Sequence, residues 1–202
     1  MRSRIYGTTT LAFVAIATVA SWISTSAQED EKAIRNSESR ASANASAFVF
    51  PRIKDHGKVV RLPSAAEQPR NGSKICVDVT AGGPAEAMNP AVEKVARFVN
   101  IYAGAGDKPA DVSITVILHG DATLTALGAE AYATKFGLDG NPNLPLFRKL
   151  KEAGVELLVC GQAISHKGIS LDDIAVDVKV AVSALTVNVN RQSDGYAFVP
   201  LH

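Results

Sequence analysis

Two side chains in this sequence combine a reactive type with a position where chemistry is accessible, Cys160 and His119, and a third, His166, lies close by in sequence. Cys160 closes the apolar run Val155-Glu-Leu-Leu-Val and precedes Gly161-Gln162, so it ends a β-prone segment and opens a polar loop. A thiol at such a junction can meet solvent, and the amides of the following loop can lower its pKa. The plainer reading is an inert core thiol, because free cysteine is among the most buried residue types. His119 ends a second β-prone run, Val112-Ser-Ile-Thr-Val-Ile-Leu, and is followed by Gly120. An imidazole there can serve as a base, as the cationic partner of a thiolate, or as a packed histidine beneath a loop. His166 and Lys167 offer positive potential to an anion, or a solvated loop surface.

The second cysteine, Cys76, stands near the start of its β-prone run and reads as core packing. One cysteine near a strand start and one at a strand end are offset by roughly 10 Å at ~3.3 Å per residue. A disulfide needs Cα atoms within ~7 Å, so no intramolecular bridge is expected. The three histidine and cysteine candidates show no local ligand-pair spacing, which argues against a metal site. Gly82-Gly83, after the first strand, can present amides to an anion or simply make a tight turn. The phosphate-binding glycine patterns and the G-x-S-x-G elbow are missing, as is C-x-x-C, which removes support for nucleotide binding, α/β-hydrolase chemistry and dithiol redox chemistry.

These residues need elements to position them. The run Ile75-Cys-Val-Asp-Val-Thr, closed by Gly82-Gly83-Pro84, predicts a strand. Pro90 can open a helix over 91–103, where Val92, Val95, Ala96 and Val99 fall at i, i+3, i+4 and i+7. Residues 112–118 predict a second strand, and Asp121 can cap one helix running to Phe136. Asn143 starts a helix through Ala153, with Leu146, Leu150 and Ala153 on one face. Residues 155–160 predict a third strand, followed by a loop over 161–168 and a short turn capped by Ser170. Residues 176–182 alternate like a strand, 183–192 read as a helix, and Tyr196-Ala-Phe-Val-Pro as a last strand. Alternating strands and helices imply an α/β fold with a mostly parallel sheet covered on both faces. In such sheets ligands sit outside the carboxyl ends of the strands. Residues 80–83, His119-Gly120 and Cys160-Gly161-Gln162 would then share one edge.

Composition bounds the function. With 21 basic against 20 acidic residues, the charge gives no reason to expect a nucleic-acid partner. Six per cent aromatic residues argue against a stacking platform, and two cysteines exclude a disulfide-dense scaffold. No motif demands a cofactor.

Arg2 and Arg4 precede an apolar stretch, 11–23, that exits through Ser24-Thr-Ser-Ala27. This predicts a signal peptide over 1–27 and an exported, periplasmic or secreted, mature chain. The stretch is shorter than the ~18 apolar residues of a membrane span, so none is expected after signal removal. Residues 28–47 have almost nothing to bury and read as a disordered linker. Two short β-prone runs around Asp55-His56-Gly57 predict an extended arm or hairpin over 48–73, with Pro51 and Pro63 arguing against a central strand.

Four marks in order carry a resemblance over about 74–202: the strand ending in His119-Gly120, Asn143 opening a helix with Leu150 and Gly154, Val155-Glu-Leu-Leu-Val-Cys160-Gly161, and the close Gly195-Tyr-Ala-Phe-Val. This part of the chain resembles the DsrE/DsrF-like (YchN-like) proteins. The resemblance implies a three-layer α/β/α domain with a mostly parallel central sheet of about five strands, and homo-oligomers, often trimers or hexamers. In the sulfur-relay members a cysteine accepts persulfide sulfur and passes it on, and Cys160 matches its position. A sulfur donor or acceptor protein would then be a partner. The relay members are cytoplasmic, whereas this chain begins with an export pattern.

Two functional readings follow. In the first, Cys160 carries sulfur, with His119, Gly120, Gly161, Gln162, Gly82, Gly83 and Asn143 shaping the site. In the second, the protein is a non-catalytic oligomeric module that holds a small anion or metabolite at the strand-end cleft, and Cys160 is structural.

Overall fold

The computed structural model describes Lys32, Ile34, Arg35 and residues 47–201. The expected signal peptide lies outside the described residues, as does most of the expected linker. The chain divides into two units at Ala47/Phe48, and everything below concerns the second, Phe48–His202. Strands β1 (Phe48–Val49) and β2 (Val59–Val60) pair antiparallel as a small separate sheet. The main sheet holds β3 (Ser73–Val79), β4 (Val112–Leu118), β5 (Glu156–Cys160), β6 (Lys179–Ala181) and β7 (Ala197–Leu201). Its order is β6-β5-β4-β3-β7 and all its pairings are parallel. The helices are α1 (Pro90–Ala103), α2 (Ala129–Phe136), α3 (Leu144–Glu152), α4 (Gly161–His166) and α5 (Ala184–Ser193). The fold is α/β, with helices flanking a five-stranded parallel sheet.

The handedness of parallel crossovers explains how the layers divide. From β3 to β6 the chain steps in one direction across the sheet, and right-handed connections keep those helices on one face. The step to β7 reverses direction, which sends α5 to the opposite face. The first face carries Ile75, Val77, Val79, Ile114, Val116, Leu118, Leu157 and Val159, packed against apolar residues of α1, α3 and α4. The second is smaller: Cys76, Ile117, Leu158 and Cys160 pack against Ala184 and Val187 of α5.

Local chemistry sets the boundaries. Asn89 caps α1 by accepting from the Ala91 amide, and Pro90 occupies its first turn. Gly137 ends α2 in the left-handed conformation. The single helix expected over 121–136 is instead a 3-10 helix, Gly120–Ala126, and the separate α2. Tertiary partners take the carbonyls at the break: the Ala175 amide bonds Ala126 O, and Asn141 Nδ2 donates to Thr125 O and Leu127 O. The loop expected over 161–168 is largely helix α4, held by the return bonds of Lys167 and Ile169 to Ala163 and Ile164. The strand expected over 176–182 shrinks to β6, because Ala175–Val178 is a turn and Val182 leads into the Ser183 cap of α5.

The segment 48–73 is fastened to α1. Asn100, fully buried in α1, accepts at Oδ1 from the amides of Arg52 and Ile53 and donates from Nδ2 to the carbonyls of Ile53, His56 and Gly57. Glu93 accepts from the Gly57 amide and pairs with His56. Gly57 has φ +62°, and a Cβ there would stand 2.2 Å from the Arg97 nitrogen, so only glycine fits. Ile53 joins the main core.

Candidate functional site

Because β3, β4 and β5 run parallel, their carboxyl ends lie along one edge. The edge is tied together by main-chain bonds: His119 N to Val79 O at 3.0 Å, and Asp121 N and Ala122 N to Thr80 O, each at 3.0 Å. Gly120 turns the chain there with φ +57°, and a Cβ at that point would approach Thr80 O to 3.1 Å. Gly161 is constrained in the same way, since a Cβ would stand 2.9 Å from Ala181 O. Gln162 donates to Val182 O at 3.3 Å, anchoring the start of α4 to the turn after β6.

On the α5 face the edge gathers titratable groups. The register of β4 with β5 ends at Leu118↔Val159, so His119 and Cys160 are the next residues at the ends of these two neighbouring strands. Both follow the alternation of Ile117 and Leu158, so they belong to the α5 face. His119 Nε2 donates to Asp78 Oδ1 at 2.5 Å. The other carboxylate oxygen accepts from Asn188 Nδ2 of α5 at 2.5 Å. Asn188 Oδ1 accepts in turn from the Cys76 thiol at 3.6 Å. Asp78 is only 6% exposed, yet both its oxygens are satisfied. Burial pushes the Cys76 thiol above its ordinary range, the Asp78 carboxylate adds to this, and Arg191 partly opposes it. Cys160 is 5% exposed, beneath the packing of α5. Further along the same face Arg191 and Lys179 both pair with Glu156.

A second feature opens beside Gly82 and Gly83. A cleft of about 440 Å³ is lined by these two glycines with Asp121, Leu124, Thr125, Tyr132 and Phe136. Cβ atoms at the glycines would press on Asp121 Cβ at 3.2 Å and Pro90 Cδ at 3.3 Å, so close packing accounts for both. Asp121 pairs at 3.1 Å with Nζ of Lys167, the residue that follows the end of α4. The Tyr132 hydroxyl donates to Ala85 O, and burial, then the Glu86 charge, pushes its pKa up.

Cys160, His119, Gly120, Gly161 and Gln162 thus sit together at the carboxyl edge, while Gly82 and Gly83 line the cleft. Asn143 does not line the cleft but lies behind it, bonded to Asn89, which packs against Gly83. It is buried, accepts from the Asn89 amide and donates to Asn141 Oδ1, and so fastens the start of α3 to the entry of α1. His166 closes α4. Sequence reasoning missed Asp78 and Asn188. The signal for Asp78 was present, as a lone acid inside the apolar run Ile75–Val79, facing the same way as Cys76. Asn188 carried none, because its partner is distant in sequence. Among the described residues no group of three or more His, Cys, Asp or Glu side chains could hold a metal ion. No helix among them is long and apolar enough to cross a membrane.

The sequence model of the DsrE/DsrF-like family matches residues 74–201. Among solved structures, a protein of unknown function from Methanobacterium thermoautotrophicum aligns at 16% identity with a TM-score of 0.45, covering 64% of this chain and 99% of its own. The ychN protein from E. coli aligns at 14% identity with a TM-score of 0.42, covering 63% of this chain and 99% of its own. No curated protein matches the chain.

Proposed function

The chain belongs to the DsrE/DsrF-like family, and from that premise we propose that it carries sulfur as a persulfide on Cys160. The observation that supports this most directly is the placement of Cys160 and His119 at the ends of two neighbouring strands, with Nε2 of His119 held by the buried Asp78. In the step proposed, the Cys160 thiolate attacks the outer sulfur of a donor persulfide. The donor S–S bond breaks, the donor leaves as its thiolate, and the sulfur stays on Cys160 as Cys–S–SH. The reverse exchange releases it to an acceptor thiol, with no external oxidant or reductant. Residues 1–27 act as the export signal in this reading, so donor and acceptor meet the mature chain in the periplasm or outside the cell.

The functional form in this reading is a homo-oligomer. Val182, Leu185 and Val189 are 75%, 78% and 63% exposed, and together they make the outward side of α5 and its entry apolar. Exposed apolar surface of this kind marks an interaction site.

The test is intact mass after incubation with a persulfide donor, wild type beside Cys160→Ser. A reducible gain of about 32 Da on wild type alone is the expected result. Equal loading of the Ser variant would sink the proposal. The second reading, a ligand-binding module, is favoured by two observations: the shielding of Cys160 and the open cleft at Gly82-Gly83. Under it the wild type gains no mass and Cys160 resists alkylation in the folded protein.

A further inference from the structure

Asp78 is an expensive residue to place where it lies. A carboxylate taken out of water on the face of a sheet is strongly destabilising unless its charge is matched by hydrogen bonds. Here both oxygens are matched, and by different elements: His119 after β4 and Asn188 on α5. A carboxylate only accepts, so the proton between Asp78 and His119 belongs to Nε2. In the neutral imidazole the lone pair is then at Nδ1, and Nδ1 has no hydrogen-bond partner among the described residues. The histidine keeps partial access to solvent, with its side chain 28% exposed. Cys160 ends the neighbouring strand on the same face, one position past the last paired residues Leu118↔Val159.

We infer that Asp78, braced by Asn188, is the positioning residue of the thiol site: it fixes His119 in the Nε2–H form so that Nδ1 accepts the proton of Cys160. The inference rests on the reading of Cys160 as the reacting thiol and names the device that activates it. The step is a proton transfer. The Sγ–H bond breaks, an Nδ1–H bond forms, and the resulting thiolate faces an imidazolium that stays bonded to Asp78 through Nε2–H. No electrons are exchanged. Asp78 stabilises the imidazolium and fixes its orientation, as a base needs a third group to aim it. Asn188 holds the second oxygen, so the carboxylate cannot rotate away from His119. The other titratable groups on the surrounding elements are Cys76 on β3, Glu156 on β5, Arg191 on α5 and His166 on α4. Asp121 and Lys167 engage one another at the rim, and Glu156 is engaged by Arg191 and Lys179.

Two readouts test the inference. The first is the nitrogen-15 spectrum of His119 in the folded wild-type protein. A neutral ring protonated at Nε2 is expected, and a ring protonated at Nδ1 overturns the inference without any variant being made. The second is the pH profile of Cys160 alkylation, followed by mass at that residue, in wild type, Asp78→Asn and Asn188→Ala. Loss of the Asp78 charge should lower the alkylation rate at neutral pH about tenfold or more, since it takes from the His119 imidazolium an opposite charge worth about 1–3 pK units. Asn188→Ala should move it the same way by less. A Cys160 that stays unreactive across the profile, or variants whose profiles superimpose on wild type while the fold is retained, overturns the inference. The sulfur-loading assay is separate. Loading with unshifted profiles leaves the carrier reading standing and removes Asp78 from it. Shifted profiles without loading remove the carrier reading and leave the positioned thiol.

Discussion

Replacing Asn100 by Ala removes a single side chain and strands five main-chain groups: the amides of Arg52 and Ile53 and the carbonyls of Ile53, His56 and Gly57. A typical hydrogen bond contributes about 1 kcal/mol net, and a buried group left unmatched costs about 1–3 kcal/mol. Five bonds on one side chain are not independent, and some stranded groups will recruit water. A weakening of about 3 kcal/mol in the attachment of the arm is a conservative figure on that basis. It corresponds to a roughly 100-fold larger population of detached arm. Trypsin reads this population directly when closing is faster than cutting, because cleavage then follows the open fraction. The sites available between residues 52 and 61 of the arm are Arg52, Lys54, Lys58 and Arg61. Cleavage between residues 52 and 61 should therefore accelerate by about two orders of magnitude. Asn100→Asp should be about as harmful, because it keeps the acceptor but turns a carboxylate toward three carbonyls. Arm cleavage within two-fold of wild type in both variants would show that Asn100 does not hold the arm.

Further outcomes follow from other contacts. Gly57→Ala should also release the arm, since its Cβ would collide with the α1 backbone, and the same trypsin assay reads it. Phe147→Ala, in the wholly buried centre of the first face, should lower stability by about 3–5 kcal/mol in urea unfolding. The Cys76 thiol is held above its ordinary range by burial and Asp78, so the folded state retains that proton longer than the unfolded state. Stability is then whole below the ordinary thiol pKa and declines as pH rises through the raised value, and Cys76→Ala should lessen the alkaline decline in urea midpoint. Part of the decline should remain, because Tyr132 is raised as well. Under the homo-oligomeric reading, Leu185→Glu with Val189→Glu should reduce the sedimentation mass to that of smaller species, and an unchanged mass would place any contact elsewhere.

The legibility of the sequence followed the range of the interactions. The strand 112–118 and the helix over 91–103 were readable because a buried period and a proline at the entry are local signals. The break at Leu127 was not, because the groups that capture its neighbours' carbonyls come from Asn141 and Ala175. Helix α4 was hidden for a different reason: Ile164 is its single buried residue, so it has no apolar stripe to detect. At the site, Cys160 and His119 were legible from their places at strand ends. The carboxylate and amide behind His119 were not, since β3 and α5 meet only through the sheet order. Asn143, whose helix start was readable, turned out to spend its amide on main-chain and Asn141 contacts.

The sheet order has a consequence for how the molecule is made. Ala197–Leu201 pair with Ile75–Val79, strands separated by nearly the whole domain. During vectorial synthesis β3 to β6 can assemble in order, each beside the last, while the far edge of β3 stays open. An open apolar strand edge is a template for pairing with another chain. It persists until the crossover through α5 delivers β7, and non-local pairing of this kind is slow. The same crossover lays Asn188 over Asp78, so the Asp78–Asn188 contact forms only with that last crossover in place. A nascent chain arrested before residue 184 would be sticky along β3 and would have its carboxylate only half satisfied.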